Sequence, residues 1–153
     1  MQPVRAHAGD LHIPDILDLL HHCFAYMDGR IDPPSSLHWL TVEGIEQTCS
    51  EGEVWTLGKP PMACVFLTNK PGRLYLGKLA VDPACRGKGL ARQLIELAAA
   101  RARERGLKVL ELQTRIELVE NHATFARLGF HKVAEDAHAG YDRPTGIVMQ
   151  KTL

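Results

Sequence analysis

No run of this chain approaches the roughly 20 consecutive apolar residues that a membrane-spanning helix needs. The opening segment Met1–Asp10 also lacks the basic cluster followed by an apolar stretch that marks a secretory leader. A soluble, cytoplasmic protein with no membrane partner is the expectation. Excess charge of either sign is missing too: 18 basic residues stand against 18 acidic ones. No global field therefore draws the chain to nucleic acid, and any anion must be held by a local site. Cysteine is sparse. Cys23, Cys49, Cys64 and Cys85 include no CxxC pair, which fits neither a zinc ribbon nor a dense disulfide scaffold and suits reduced thiols. His21 and His22 are adjacent, so on a helix they project about 100° apart. With no carboxylate partner in the pattern, they predict no required metal.

What remains is the balance of one globular domain over residues 1–153, monomeric or homodimeric, with 45% hydrophobic residues for a continuous core. Apolar residues at Ile13, Ile16, Leu17, Leu20, Cys23, Phe24 and Met27 recur at three- and four-residue intervals, predicting a helix from Leu11 to about Tyr26 capped by Asp10. The two prolines of Asp32-Pro-Pro-Ser-Ser36 end that pattern, and Ser35 or Ser36 is expected to cap a second helix through about Cys49. Short runs rich in Val, Phe, Leu and Tyr follow at Val54–Leu57, Met62–Thr68 and Leu74–Val81, separated by Pro/Gly turns. A helical pattern then runs from Leu90 to Arg105 and stops at Gly106. Beyond it lie a strand at Val109–Thr114, a short helix at Val119–Leu128 ended by Gly129, and strands at Phe130–Ala134 and Ile147–Lys151. The strand–helix–strand crossover between Leu74 and Thr114 implies a parallel pair inside a mixed α+β sheet.

The turn Arg86-Gly-Lys-Gly-Leu-Ala91 sits where strand gives way to helix. There the first main-chain N–H groups have no intrahelical partner. The helix dipole favours an anion, Gly87 and Gly89 keep Cβ atoms out of its way, and Arg86 and Lys88 add positive charge. A pyrophosphate is the natural occupant. A Walker loop is excluded because Lys88 is followed by Gly89 rather than Ser or Thr. A dinucleotide fingerprint stays open as an alternative: Gly87 and Gly89 stand for its first two glycines, and Glu111 lies about 20 residues on, but Arg92 occupies the third glycine's place.

Leu79-Ala-Val-Asp-Pro83, the loop Arg86-x-x-Gly89-x-Ala91 with its long helix, and Asn121 followed by Gly129-Phe130 together resemble the GCN5-related N-acetyltransferase (GNAT) superfamily. The resemblance implies a mostly antiparallel twisted sheet, a central parallel strand pair splayed around the cofactor, and helices on both faces. It implies acetyl-CoA, with the pyrophosphate on the amides of Arg86, Gly87, Lys88, Gly89, Leu90 and Ala91. The pantetheine arm would run along Leu79, Ala80 and Val81, with Asn121 touching it. Phe125, four residues on, shares Asn121's helix face. It occupies the position where many family members carry a tyrosine that protonates the departing thiolate, and a phenyl ring has no proton to give.

The implied activity is acetyl transfer to a primary amine of a small molecule or peptide by direct attack, with a non-catalytic acyl-CoA sensor of the same fold as the alternative. An alkylammonium with a pKa near about 10.4 must first lose a proton. The strand Tyr75–Val81 holds no acid for that purpose. Glu111, His122 and Tyr141 are the nearest candidate proton carriers, and an ordinary loop thiol is the expectation for Cys85. The resemblance also implies that the segment between the first two helices walls the acceptor pocket, with Tyr26, Met27, Asp28 and Arg30 as candidates: Asp28 or Asp32 could pair with an ammonium, or Arg30 could instead hold a carboxylate.

Overall fold

Five consecutive buried residues, Ala63 to Leu67, show how the sheet is covered. A strand alternates its side chains between faces, so an unbroken buried run needs apolar cover on both. Ala63, Val65 and Leu67 face the cluster that includes Leu94, Ile95 and Ala98; Cys64 and Phe66 face the one that includes Ile16, Leu20 and Ile45. The computed structural model describes all residues, Met1–Leu153.

The order is β1 (Val4–Ala6), α1 (Ile13–Phe24), α2 (Val42–Glu51), β2 (Glu53–Leu57), β3 (Ala63–Lys70), β4 (Arg73–Val81), α3 (Leu90–Glu104), β5 (Val109–Arg115), α4 (Val119–Arg127), β6 (His131–Asp136) and β7 (Gly146–Thr152). The strands form one seven-stranded sheet in the order β1-β2-β3-β4-β5-β7-β6. Every neighbouring pair is antiparallel except β4 with β5. Helix α3 packs on one face, and α1 and α2 on the other. No helix is long and apolar enough to cross a membrane.

The expected crossover and parallel pair are present, and so is the cover on both faces. Three local expectations need correction. Asp10 does not cap α1: its carboxylate accepts from the His7 N–H, and the helix starts at Ile13 with Pro14 in its first turn. Ser35 caps only a 3-10 turn at Ser36–Trp39, because Leu40 turns extended and Thr41 then caps α2 by accepting from Gly44 N–H at 3.1 Å. Strand β1 was not expected; three residues are too few to show a period, and it forms by pairing Val4–Ala6 with Val54–Thr56.

The feature that positions the site is a bulge. Opposite β3 the partners step from Phe66↔Gly77 to Cys64↔Ala80, so β4 carries one extra residue there. Lys78, at φ +50°, is the one non-glycine residue with a positive φ. A bulge bends its strand and raises its twist, and β4 leaves β5 after only two parallel pairs, Leu74↔Leu110 and Tyr75↔Glu111.

Behind the sheet, Glu53 is 2% exposed. Both of its oxygens take hydrogen bonds from Arg101 at 2.9 Å, Trp55 Nε1 donates at 2.7 Å, and Arg105 pairs with the same carboxylate. The contact ties β2 to the end of α3. Removing one partner of a buried pair strands the other, so Glu53→Ala is expected to cost about 3 kcal/mol in urea unfolding. A loss below about 1 kcal/mol would place the pair in the solvent-screened class.

Candidate functional site

Where β4 and β5 part, each keeps its outer neighbour. β4 stays on β3 to Val81, and β5 stays on β7 to Arg115. The inner main-chain edges of Leu76–Val81 and Leu112–Arg115 therefore have no ladder partner across the gap. The gap opens into a cleft of about 390 Å³. Tyr75–Val81 form one wall and Leu112–Arg115 the other. Cys23 and Phe24 at the end of α1, with Tyr26 and Met27 just after it, close it on one side, Asn121 and Phe125 of α4 on another, and Asp136, His138 and Gly146 line it at and beside the ends of β6 and β7. Asn121 Nδ2 donates to the Tyr26 hydroxyl at 3.1 Å, joining α4 to the segment after α1.

Arg86 lines the same cleft and begins the turn into α3. Gly87 and Gly89 adopt φ +80° and +76°, and a Cβ at either would meet nothing within 4 Å. No acceptor in the protein takes the N–H groups of Arg86 through Arg92; Gln93 is the first to bond, to Gly89 O at 3.0 Å. Upstream, Asp82 holds the turn's shape by accepting from Ala84 N–H at 2.9 Å. The result is a run of outward amides at the positive end of a four-turn helix, open on its ligand side, with the geometry of an anion cradle.

The cleft shifts the groups that face it. Burial, reinforced by Asp82, pushes the Cys23 thiol up to about 11, so it stays protonated near neutrality. Burial lowers the Lys78 ammonium and raises the Tyr75 phenol, the latter helped by the charges of Glu111 and Asp136. Burial also lowers Arg115.

A model described as the acetyltransferase (GNAT) family matches residues 13–130. This chain belongs to that family. The matched span runs from the start of α1 to the residue before β6, so it includes both cleft walls and the amide turn. Among curated relatives, an uncharacterized N-acetyltransferase, YjgM of Escherichia coli K12, is 43% identical over 58 residues; that segment is 38% of this chain and 35% of the relative. The match thus spans about a third of the relative's length. Solved structures agree over nearly the whole chain at low identity, which shows a shared fold. PaiA N-acetyltransferase from Thermoplasma acidophilum, in complex with coenzyme A, superposes with a TM-score of 0.81 at 10% identity, covering 100% of both chains. An acetyltransferase from Streptococcus agalactiae gives 0.77 at 18%, covering 99% and 98%. A GNAT family acetyltransferase from Elizabethkingia anophelis with acetyl-CoA bound gives 0.68 at 18%, covering 99% and 97%. The dinucleotide alternative fails on the fold, since a doubly wound sheet is mainly parallel and this acetyltransferase sheet has one parallel pair.

Of the residues singled out in the sequence, Leu79, Ala80, Val81, Arg86, Asn121, Phe125, Tyr26 and Met27 line the cleft. Gly87–Ala91 form the amide turn. The three candidate proton carriers do not line it. Glu111 is buried beside Arg73 at 2.8 Å and Gln150 at 2.8 Å; His122 Nε2 lies 3.0 Å from Arg115 O; and Tyr141 donates to Asp32 at 2.6 Å, which raises its pKa. Asp28 pairs with His38 and Arg30 with Glu120, so neither is available in the way the sequence suggested. His21 and His22 also diverge, toward Leu37 O and Asp82. Cleft residues that sequence reasoning missed are Tyr75, Lys78, Arg115, Asp136 and His138. A signal existed for Lys78: Gly77-Lys78 interrupts an apolar strand, and an isolated strand glycine often marks a bulge. No comparable signal brings Asp136 to the cleft.

Burial alone raises the Glu111 carboxyl, but the hydrogen bond from Gln150 and the ion pair with Arg73 hold it below the usual range. A depressed folded pKa contributes stability above the unfolded value of about 4.3 and loses it as pH falls through the folded one. Glu111→Gln is therefore expected to cost about 2 kcal/mol at pH 7, shrinking toward zero in acid, while ligand binding in the cleft is unchanged. A pH-independent deficit in urea titrations would contradict this.

Proposed function

We propose that this chain transfers an acetyl group from acetyl-CoA to a primary amine of a small molecule by direct attack. The observation that carries the reading is the pairing of two unsatisfied main-chain surfaces along one groove: the amides of Arg86–Arg92 and the inner edge of β4. The first suits a pyrophosphate. The second suits an extended chain of amides such as a pantetheine arm, which takes ladder bonds as an added strand does. Arg86, present in both the turn and the cleft lining, joins the two. Leu79, Val81 and Phe125 give the arm an apolar wall.

In the transfer, the neutral amine's lone pair attacks the thioester carbonyl, the C–N bond forms, the C–S bond breaks, and the amine's proton must go to an acceptor. Asp136 fills that role: its carboxylate lines the cleft, and no hydrogen bond or ion pair within the protein engages it. A carboxylate there also attracts the incoming ammonium. Phe125 has no proton for the departing thiolate, but Tyr26 does. Its oxygen accepts from Asn121, leaving its own O–H to donate. Cys23 is no nucleophile while its thiol stays protonated.

Amine-dependent release of free thiol from acetyl-CoA tests the transfer; CoA binding with no such release would favour a sensor. The cradle has its own test. Gly89→Glu places a carboxylate beside the amides and is expected to weaken CoA binding at least about 100-fold by calorimetry, with circular dichroism unchanged. Gly89→Ala isolates the strain of a positive φ, about 1 kcal/mol. Equal affinity of the glutamate variant and the wild type would remove the pyrophosphate from this turn.

A further inference from the structure

Most charged side chains around the acceptor end of the cleft are engaged by one another or by the main chain. Arg30 pairs with Glu120 at 2.7 Å, Asp28 with His38 at 3.0 Å, and Asp32 with Arg143 at 2.8 Å. Arg115 gives Nη1 and Nη2 to the carbonyls of Pro33 and Pro34. Four charged residues line the cavity: Arg86 belongs to the amide turn, Arg115 is held by the two carbonyls but keeps its charge, and Lys78 and Asp136, both half-buried, have neither an ion pair nor a side-chain hydrogen bond within the protein. The Lys78 ammonium has the ring of Phe66 as its neighbour, 5.3 Å from the centroid, and no carboxylate. The Asp136 carboxylate lies over Gly146, with Oδ1 2.9 Å from where a Cβ would stand. Only glycine at that position leaves it room. The two groups do not pair with each other.

A half-buried charge without a partner is costly, and this one is built into the backbone. Lys78 is the extra residue of the β4 bulge, held at a φ that side chains rarely adopt. Bulges re-aim a side chain, and the residue at this one lines the cleft. The sign of the charge limits what fits. An acceptor amine arrives as a cation, and a polyamine or aminoglycoside would bring further positive groups against Lys78 and Arg115. A zwitterion brings one group for each unpaired charge.

We infer that the acceptor is a small amine that also carries a carboxylate, an amino acid or close derivative, with Lys78 holding the carboxylate and Asp136 facing the amine. This rests on the amine-acetyltransferase reading and narrows it. It also replaces Arg30, already paired with Glu120, as the carboxylate partner.

The test compares thiol release from acetyl-CoA for amines that differ in the carboxylate: L-leucine with leucinamide, L-methionine with methioninamide, L-phenylalanine with phenylalaninamide, and L-lysine with cadaverine. The acid of at least one pair is expected to show a kcat/KM at least about tenfold above its partner. Lys78→Met is expected to erase that preference and Lys78→Arg to keep it, while CoA affinity stays within about threefold of wild type in both. Preference for the amides or cadaverine, an acid preference that survives Lys78→Met, or a parallel loss of CoA binding would overturn the inference. If no amine releases thiol although CoA binds, the transferase reading fails separately. The anchor is then judged by titrating the CoA-loaded protein with the N-acetyl derivatives of the same acids. Binding weakened about tenfold by Lys78→Met sustains it; no binding, or equal binding, overturns it.

Discussion

One extra residue in β4 sets the shape on which the rest of the molecule depends. A bulge bends its strand and raises its twist, and the one at Lys78 follows directly on the point where β4 leaves β5. The parallel ladder ends after Tyr75↔Glu111, while both strands keep their outer neighbours. The sheet therefore stays whole at its flanks and opens at its centre. A cleft made this way has walls of rigid strand and an inner edge of unmatched main-chain groups, which is how a scaffold holds a ligand without mobile loops.

The opening connects directly to the turn that follows β4. Because the strand leads through Asp82 and Arg86 into α3, the unmatched strand edge and the unmatched helix amides lie along one path. The cluster containing Leu94, Ile95 and Ala98 seats α3 on β3, β4 and β5, and Glu53 fixes the helix's far end through Arg101 and Arg105. Packing and a buried ion pair on one side thus support the anion cradle on the other.

The turn was legible from sequence because its chemistry is local: glycines at fixed offsets between a strand and a helix carry their meaning in the chain itself. The same holds for the parallel crossover, which follows from strand, helix and strand in succession. The second helix was misread because Ser35 and Thr41 are both good caps, and only the extended backbone at Leu40 decides which one starts the α-helix. Glu111 illustrates a deeper limit. Its spacing placed it near the cleft, but pairing with Arg73, 38 positions earlier on the neighbouring strand, turns it into a structural carboxylate. Asp136 shows the converse. Nothing in Ala134-Glu-Asp136 marks a functional acid; the strand order that puts β7 between β5 and β6 carries it there. Which charges remain unpaired is a property of the folded chain, and a sequence does not display it.

On the proposed function, one acyl-CoA occupies the amide turn and the β4–β5 gap together. Titrating CoA into ¹⁵N-labelled protein and following backbone amide resonances tests it most directly. Large shifts are expected at Gly87–Arg92 and along Leu79–Val81, saturating at one equivalent, with β1, β2 and α2 unmoved. Shifts confined to other surfaces, or an unperturbed turn at saturating CoA, would contradict it.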